Sequence, residues 1–521
     1  MCDALFAFPL NRLSLLKEPA RPAEKNIKIA VYRNHSFEMT AGVLNVFLDF
    51  SGMKASFDYS DYDDSLNFRS VDADLHLIWV DVNRYKTPNL AAFLTERAET
   101  LSAKTRKPVL LAYTGREVEL SLTAADCFSF RVDNWLAELG DQAYDEAKEA
   151  YSGTRLSNKA VLEAARVLGM KYIPAIFKTP LKAVVLDLDN TLYKGVLGED
   201  GIDALVPDNA LQSEIKKLKE NGFFLCLCSK NEEEDVRKLF EKRTDFVLKM
   251  EDFTAVRINW NSKADNISEL AKTLNIGTDA MLFVDDNPAE IENVRPTGVK
   301  TLLAKENVAR VISYYPGLMK LRLSAEDALR AKDVQANAAR MELAKTLSRE
   351  EYFQKLGIRL VYSVNDETQI PRVAELFGKT NQFILSYKRY TETDVRSFMR
   401  DKDKCVITIR MSDSLSDSGI IAILAAHAEN GVLTADELTV SCRALGRNLE
   451  DVMLPELFRQ AQKRLNARKQ IAIPYLKGER NMPALKWLAA LTGAQTDEGG
   501  TAVYDIPEHV DLIGLTVEVR Q

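Results

Sequence analysis

Residues 183–195 read AVVLDLDNTLYKG, where an apolar run ends on two carboxylates, Asp187 and Asp189. The run predicts a buried β-strand, and charge directly after such a strand indicates a site at the strand's end. Further short apolar runs follow at 223–229, 255–259 and 280–286, and each of them leads into a helical pattern. This alternation of strand and helix predicts an α/β fold with a doubly wound parallel sheet.

Polar residues fall at the boundaries of these other strands and helices too. Ser229 ends one strand, Lys263 starts a helix, and Asp285 and Asp286 end another strand. Helix capping needs single residues of this kind, so two carboxylate pairs with a serine and a lysine favour a chemical site. The carboxyl ends of parallel strands meet at one edge of a sheet, where ligands bind.

Residues of these types suit phosphoryl transfer through an aspartyl-phosphate. Asp187 would be the nucleophile, and Asp189 would act as general acid and then as general base. Ser229 and Lys263 would hold phosphate oxygens. Oxygen ligands from the second carboxylate pair suit Mg²⁺, which would neutralise the charge of the phosphate.

The motifs DLDNT (187–191) and VDDNPAE (284–290), with Ser229 and Lys263, resemble those of the haloacid dehalogenase superfamily of phosphatases. The resemblance covers about 180 to 300 and implies a Rossmann-like domain. It implies that Thr191 also contacts phosphate, and that Asp187, the backbone oxygen of Asp189 and Asp286 hold Mg²⁺. Whether Asp285 is a ligand or supports one stays open. The short spacing of the motifs leaves no room for a large cap domain.

The phrases YKGVLGEDG (193–201), LFGKTNQFILSYKRYTETDV (376–395) and RNMPALKWL (480–488) narrow the match. They resemble the FkbH-like proteins, from about residue 28 to the C-terminus. The resemblance implies that a glyceryl unit is taken from 1,3-bisphosphoglycerate, dephosphorylated, and left as a thioester on the phosphopantetheine arm of an acyl carrier protein. Some relatives serve surface-polysaccharide or other pathways. The implied carrier or substrate contacts include Lys379, Thr380, Asn381 and Gln382.

The C-terminal region predicts an α+β domain that resembles the GNAT acyltransferases. The stretch 443–448, RALGRN, follows a strand and opens a helix, and its Arg443 and Gly446 would bind an anion of the carrier arm. Cys442 stands before this loop and is a candidate transient acyl carrier, because a helix N-terminus and Arg443 would lower the pKa of its thiol. The alternative is a buried strand cysteine.

The first region resembles the SGNH-hydrolase-like module that precedes many FkbH-like proteins. Its opening strand leads into RNHS (33–36) in place of a Gly-Asp-Ser motif, which predicts a non-catalytic domain; a nucleophile at Ser36 beside His35 is a minor alternative. The predicted boundaries are 1–178 for this domain, 179–318 for the phosphatase domain, 319–356 for a connector helix, and 357–521 for the acyltransferase domain.

The composition limits the partners. A net charge of −7 without a dense basic tract argues against nucleic acid, and no apolar run is long enough to span a bilayer. Six scattered cysteines and the absence of a secretory signal predict a cytoplasmic protein. Two alternatives to acyl loading stay open: a phosphatase acting on a phosphorylated metabolite, and a scaffold that docks a carrier protein.

Overall fold

The computed structural model describes residues 3–62, 71–322, 346–441, 449–478 and 480–520, with the single positions 336, 340, 343, 444, 445 and 447. Within these residues the chain forms three large sheets in sequence order, plus one two-stranded ribbon. The first two sheets are wholly parallel, and the third is mixed. The chain therefore has a mixed α/β fold with parallel sheets.

The first sheet is five-stranded, in the order β2-β1-β3-β4-β5. Its strands are β1 (Lys25–Arg33), β2 (Met53–Tyr59), β3 (Leu75–Asp81), β4 (Val109–Thr114) and β5 (Cys127–Arg131). Its α-helices are Arg12–Leu16, Glu38–Phe50, Leu90–Thr105, Glu149–Ser152, Asn158–Val167 and Ile173–Phe177, and a π-helical turn, Leu168–Tyr172, joins the last two. Strands β3 and β4 are buried along their whole length, as expected for strands covered on both faces.

The second sheet is also five-stranded and parallel, in the order β10-β9-β6-β11-β12. Its strands are β6 (Ala183–Leu186), β9 (Phe224–Ser229), β10 (Ala255–Ile258), β11 (Met281–Asp285) and β12 (Lys300–Leu303); the ribbon consists of β7 (Tyr193–Lys194) and β8 (Val206–Pro207). The helices are Leu197–Asp200, Asn209–Glu220, Glu233–Lys242, Lys263–Leu274, Pro288–Val294 and Val308–Tyr314. Strand β6 lies at the centre, between β9 and β11, so the carboxyl ends of these three parallel strands lie side by side.

The first two sheets share one continuous hydrophobic core. The Phe50 and Tyr315 rings meet edge to face with centroids 6.1 Å apart, within the usual range of about 4.5–7 Å for aromatic pairs. Arg166 is fully buried, pairs with Glu163, and lies over the Tyr314 ring at 4.0 Å. The predicted boundary near residue 178 thus separates two sheets that are packed against each other.

The prediction of one continuous connector helix over 319–356 is wrong at both ends. Residues 319–322 are not helical, and the last part is a separate helix, Arg349–Leu356. The Ser348 hydroxyl accepts the Glu351 N–H and the Glu351 carboxylate accepts the Ser348 N–H, so this reciprocal pair starts a new helix. Most of the segment between them lies outside the described residues.

The third sheet has seven strands in the order β18-β17-β16-β15-β14-β13-β19. They are β13 (Arg359–Val364), β14 (Lys404–Ser412), β15 (Asp417–Glu429), β16 (Val432–Val440), β17 (Gln470–Tyr475), β18 (Gly500–Asp505) and β19 (Thr516–Arg520). The remaining helices are Ile370–Lys379, Glu392–Arg400, Glu450–Arg464 and Met482–Thr492. The sequence predicted antiparallel hairpins, and β13 to β16 follow that pattern, whereas β16 with β17 and β13 with β19 are parallel.

Strands β16 and β17 pair at only two positions and then diverge. The segment 383–388 occupies the gap and bonds to both strands: the Val440 N–H donates to the Phe383 carbonyl, and the Ser386 hydroxyl donates to the Pro474 carbonyl. Buried Glu437 accepts hydrogen bonds from the backbone N–H groups of Leu385 and Lys388 in the same segment.

None of the described helices combines the length and the apolar character that crossing a membrane requires.

Candidate active site

Four predicted site residues meet at one edge of the second sheet, here called the carboxylate edge. Asp187 directly follows β6, Ser229 and Asp285 end the two strands beside it, and Lys263 begins the helix after β10. The four side chains are buried, with 0 to 5% of each residue exposed. Together with Asp189, Asn190, Lys230, Asp286, Asn287, Pro288 and Glu290 they line an open cavity of about 400 Å³.

Lys263 is the central cation of the carboxylate edge. Its Nζ lies 2.9 Å from Asp187 Oδ1 and 2.6 Å from Asp285 Oδ2. Burial opposes the charged form of Lys263, yet the two carboxylates outweigh it and raise the pKa of the ammonium. Burial raises the pKa of Asp187 to about 6 against the pull of Lys263, and Asp285 adds to the rise. The edge therefore holds more negative charge than one ammonium balances.

The same edge fits a hard divalent cation. Asp187, Asp285 and Asp286 each offer a carboxylate oxygen, and these three atoms lie within 4.8 Å of one another. Both Asp285 oxygens are engaged, one by Lys263 and the other by the Asn287 N–H at 2.8 Å. Asp286 is half-buried, and burial followed by the neighbouring Asp285 raises its pKa. Asp187 and Asp286 are therefore the better placed ligands, with Asp285 holding the cluster together.

Asp189 is held by three donors. Its Oδ1 accepts the Tyr193 hydroxyl at 2.7 Å and the Leu197 N–H at 3.0 Å, and its Oδ2 accepts Asn231 Nδ2 at 2.9 Å. The Asn231 amide also donates to Ser229 Oγ at 3.2 Å, which ties two of the predicted residues to each other. Sequence reasoning missed Tyr193 and Asn231, although each lies within four residues of a predicted one.

The chain turns sharply at Asn190 to leave the carboxylate edge. Asn190 has a φ of +52°, its N–H donates to the Gly195 carbonyl at 3.2 Å, and its side chain accepts the Gly195 N–H at 3.1 Å. Gly195 has a φ of +110°, and a Cβ there would lie 2.9 Å from the Leu205 side chain. The excursion that follows is only the small ribbon and one short helix, so the cavity stays open to a bulky partner.

Two other predictions concern this edge: the contact of Thr191 with phosphate and the backbone ligand from Asp189. Thr191 is buried, its hydroxyl has no hydrogen-bond partner among the described residues, and it is not among the described residues that line the cavity. Its phosphate contact stays a prediction, as does the backbone ligand from Asp189. Lys230 and Glu290, which the sequence did not suggest, line the mouth and pair at 2.6 Å.

The polar cluster predicted in the C-terminal region lines a second cavity. Lys379, Thr380, Asn381 and Gln382 face a space of about 370 Å³ between the second sheet and the third. Arg389 fixes the turn by donating to the Thr380 carbonyl at 2.8 Å and to Asn381 Oδ1 at 2.7 Å. The remaining predicted residues there, Cys442, Arg443 and Gly446, lie outside the described residues.

The minor alternative in the first domain finds no paired nucleophile and base. His35 is buried, stacks on Trp79, and places Nδ1 3.0 Å from the Thr154 hydroxyl. The Ser36 hydroxyl donates to Glu38 Oε2 at 2.8 Å, away from the imidazole. Burial, then the charges of Arg84 and Arg155, lowers the pKa of His35 to about 3, so the ring is neutral at pH 7.

No protein-family model matches the chain, and no curated protein matches it. Among solved structures it is similar to the N-terminal part of protein BF1531 from Bacteroides fragilis, described as containing a phosphatase domain complexed with Mg. That match has 22% identity and a TM-score of 0.42, and covers 62% of this chain and 99% of the other.

Two smaller matches cover about a quarter of the chain each. One is a HAD family enzyme from Bacteroides thetaiotaomicron in complex with magnesium and inorganic phosphate, at 14% identity and a TM-score of 0.21, covering 24% of this chain and 94% of the other. The other is a HAD-superfamily hydrolase from Ehrlichia chaffeensis, at 12% identity and a TM-score of 0.21, covering 26% and 98%.

Proposed function

We propose that the second domain is a Mg²⁺-dependent phosphatase of the haloacid dehalogenase type. The observation that carries the proposal is the carboxylate edge, where Asp187, Asp285 and Lys263 meet in a buried cluster beside Asp189 and Ser229. Asp187 and Asp286 would hold the metal, with Asp285 supporting them. When bound, Mg²⁺ would neutralise phosphate charge and favour attack by a carboxylate.

The residues of the chain divide the reaction between them. An oxygen of Asp187 attacks phosphorus, the bond from phosphorus to the leaving oxygen breaks, and protonated Asp189 donates its proton to that oxygen. The Asp189 carboxylate then takes a proton from water, whose oxygen attacks the aspartyl-phosphate and releases inorganic phosphate. Ser229 and Lys263 hold the phosphate oxygens throughout. Tyr193 and Asn231 keep Asp189 turned towards the cavity.

The phosphatase proposal is tested with a generic phosphate monoester. Asp187→Asn should abolish phosphate release from p-nitrophenyl phosphate, since the amide cannot form the aspartyl-phosphate. The matched control is Asp203→Asn, which removes an exposed carboxylate of the same domain that pairs with Lys242. Chelation by EDTA should abolish activity, and added Mg²⁺ should restore it. Equal phosphate release by both variants would contradict the assignment.

The finer proposal couples this phosphatase to acyl loading. The thiolate of a carrier-bound phosphopantetheine attacks the carboxyl carbon of 1,3-bisphosphoglycerate, the bond from that carbon to the phosphate oxygen breaks, and phosphate leaves. The second phosphate is then hydrolysed at Asp187, which leaves a glyceryl thioester. The motif resemblance and the open carboxylate edge support this reading, because a carrier-bound substrate needs an uncovered site.

Intact mass of a holo-acyl carrier protein distinguishes this reading from its rivals. After incubation with enzyme, Mg²⁺ and 1,3-bisphosphoglycerate we expect a glyceryl increment in the wild type and a phosphoglyceryl increment or none with Asp187→Asn. Phosphate release with no increment would favour a phosphatase of a free metabolite. Pathway output that survives Asp187→Asn in the producing cell would favour a docking scaffold.

A further inference from the structure

The cavity between the second and third sheets, here called the interdomain cleft, is strongly basic. It is lined by residues that precede strands of the second sheet and by the end of the helix Ile370–Lys379. Among the described residues, its lining holds one carboxylate, Asp279, and seven cationic residues: Lys178, Lys182, Lys300, Lys320, Arg372, Lys379 and Arg480. The chain as a whole has a net charge of −7, so the positive charge of the cleft is opposite in sign to that of the protein.

Carboxylates lie beside several of these cations, and Lys178 contacts Glu24 at 3.4 Å. Arg480 pairs with Asp279 at 2.5 Å, across the two domains. Arg372 and Lys379 both pair with Glu375, which lies 2.8 Å from each of them. Burial works against the charge of Glu375, but the two cations outweigh it and lower its pKa to about 2. Like charges around one concave space create a positive potential that an anion relieves.

The cleft lies apart from the carboxylate edge. Lys182 immediately precedes β6, Ala280 precedes β11, and Lys300 is the first residue of β12, so the cleft faces the amino ends of these parallel strands. Asp187 and Asp285 lie at their carboxyl ends. In the part of the chain that the structure describes, the two cavities share no lining residue, and they differ in the sign of their charge.

The other lining groups restrict the ligand further. Among the described residues that line the cleft there is no aromatic side chain, so a nucleobase would find no ring to stack on. Thr179, Thr380, Asn381, Gln382 and Ser441 supply hydroxyl and amide groups instead. A volume of about 370 Å³ suits a small molecule or the arm of a larger one.

From this charge and lining we infer that the interdomain cleft binds an aliphatic phosphate ester. The phosphate would lie among the lysines and arginines, and hydroxyl or amide groups of the ester's organic part would bond to the neutral polar residues. Two sources share this chemistry: a free phosphorylated metabolite, and the phosphopantetheine arm of a carrier. The inference deepens the proposed function, and it rests on that function only for the second source.

Binding is measured by calorimetry on the full-length Asp187→Asn protein in EDTA, so that hydrolysis at the carboxylate edge plays no part. The probes are phosphopantetheine, glycerol 3-phosphate and AMP, each with a single phosphate. We expect the two aliphatic esters to bind, with weaker binding at higher ionic strength and no gain in affinity from the adenine of AMP. Tighter phosphopantetheine binding would assign the carrier arm, and tighter glycerol 3-phosphate binding would assign a free metabolite.

The variant Lys182→Gln/Lys300→Gln removes two of the cleft's charges and should weaken binding roughly tenfold or more. The matched control is Lys272→Gln/Lys463→Gln, which removes one exposed lysine from each of the two domains and touches no residue of the cleft. Equal affinity of the two double variants, or no binding by either aliphatic ester, would overturn the inference. The same double substitutions are also made in the protein that keeps Asp187, and its phosphatase activity tests the proposed function separately.

Discussion

The hydroxyl of Tyr193 offers a sharp test of how Asp189 works. Tyr193 is 1% exposed, and its O–H donates to Asp189 Oδ1 at 2.7 Å. A hydrogen bond to a charged group contributes about 1.5–3 kcal/mol. Tyr193→Phe deletes only this bond, and Asp189 keeps the N–H of Leu197 and the amide of Asn231. We therefore expect the free energy of unfolding to fall by about 1.5–3 kcal/mol.

Tyr193→Phe should also slow catalysis. A carboxyl group that must donate and then accept a proton depends on its orientation, so losing about 1.4 kcal/mol in the transition state lowers kcat roughly tenfold. KM should change little, because Ser229 and Lys263 still hold the phosphate.

Tyr362→Phe is the matched control for this experiment. Tyr362 is fully buried in the third sheet, and its hydroxyl donates to the Met453 carbonyl at 3.1 Å. Loss of that neutral bond should cost about 1 kcal/mol of stability and leave kcat unchanged. The assay is steady-state hydrolysis of p-nitrophenyl phosphate with Mg²⁺, alongside urea unfolding. An equal kcat in the two variants would refute the positioning role of Tyr193.

Two further predictions concern buried charge. Lys263→Met should lower the free energy of unfolding by about 3–5 kcal/mol, because it leaves Asp187 and Asp285 without a cation, and adding Asp285→Asn should recover part of that loss in urea unfolding. A double variant no more stable than the single one would contradict this reading. Neutral His35 predicts acid sensitivity: its pKa is about 3 when folded and 6.5 otherwise, so the unfolded chain binds the proton first, and stability falls as pH drops from 6.5 towards 3. Thermal unfolding across that range should be less pH-dependent in His35→Gln, and an unchanged slope would count against it.

The carboxylate edge is predictable from the sequence alone. Apolar runs that alternate with helical patterns predict a parallel sheet, and in such a sheet the residues after each strand must meet at one edge. Asp187, Ser229, Lys263 and Asp285 follow from that rule, which uses only local periodicity and chain order. The shortness of the segment after Asp189, and hence the open cavity, was also visible in the spacing.

The tertiary structure decided what depends on distant side chains. The choice between Asp285 and Asp286 is one case, since alternate residues of a strand face opposite ways and only packing shows that Asp285 meets Lys263. The hold of Tyr193 and Asn231 on Asp189 is another. The interdomain cleft depends most on tertiary structure, because its cations come from segments about 300 residues apart, at Lys178 and Arg480. No local pattern encodes how two sheets dock, and the charge of the cleft arises only from that docking.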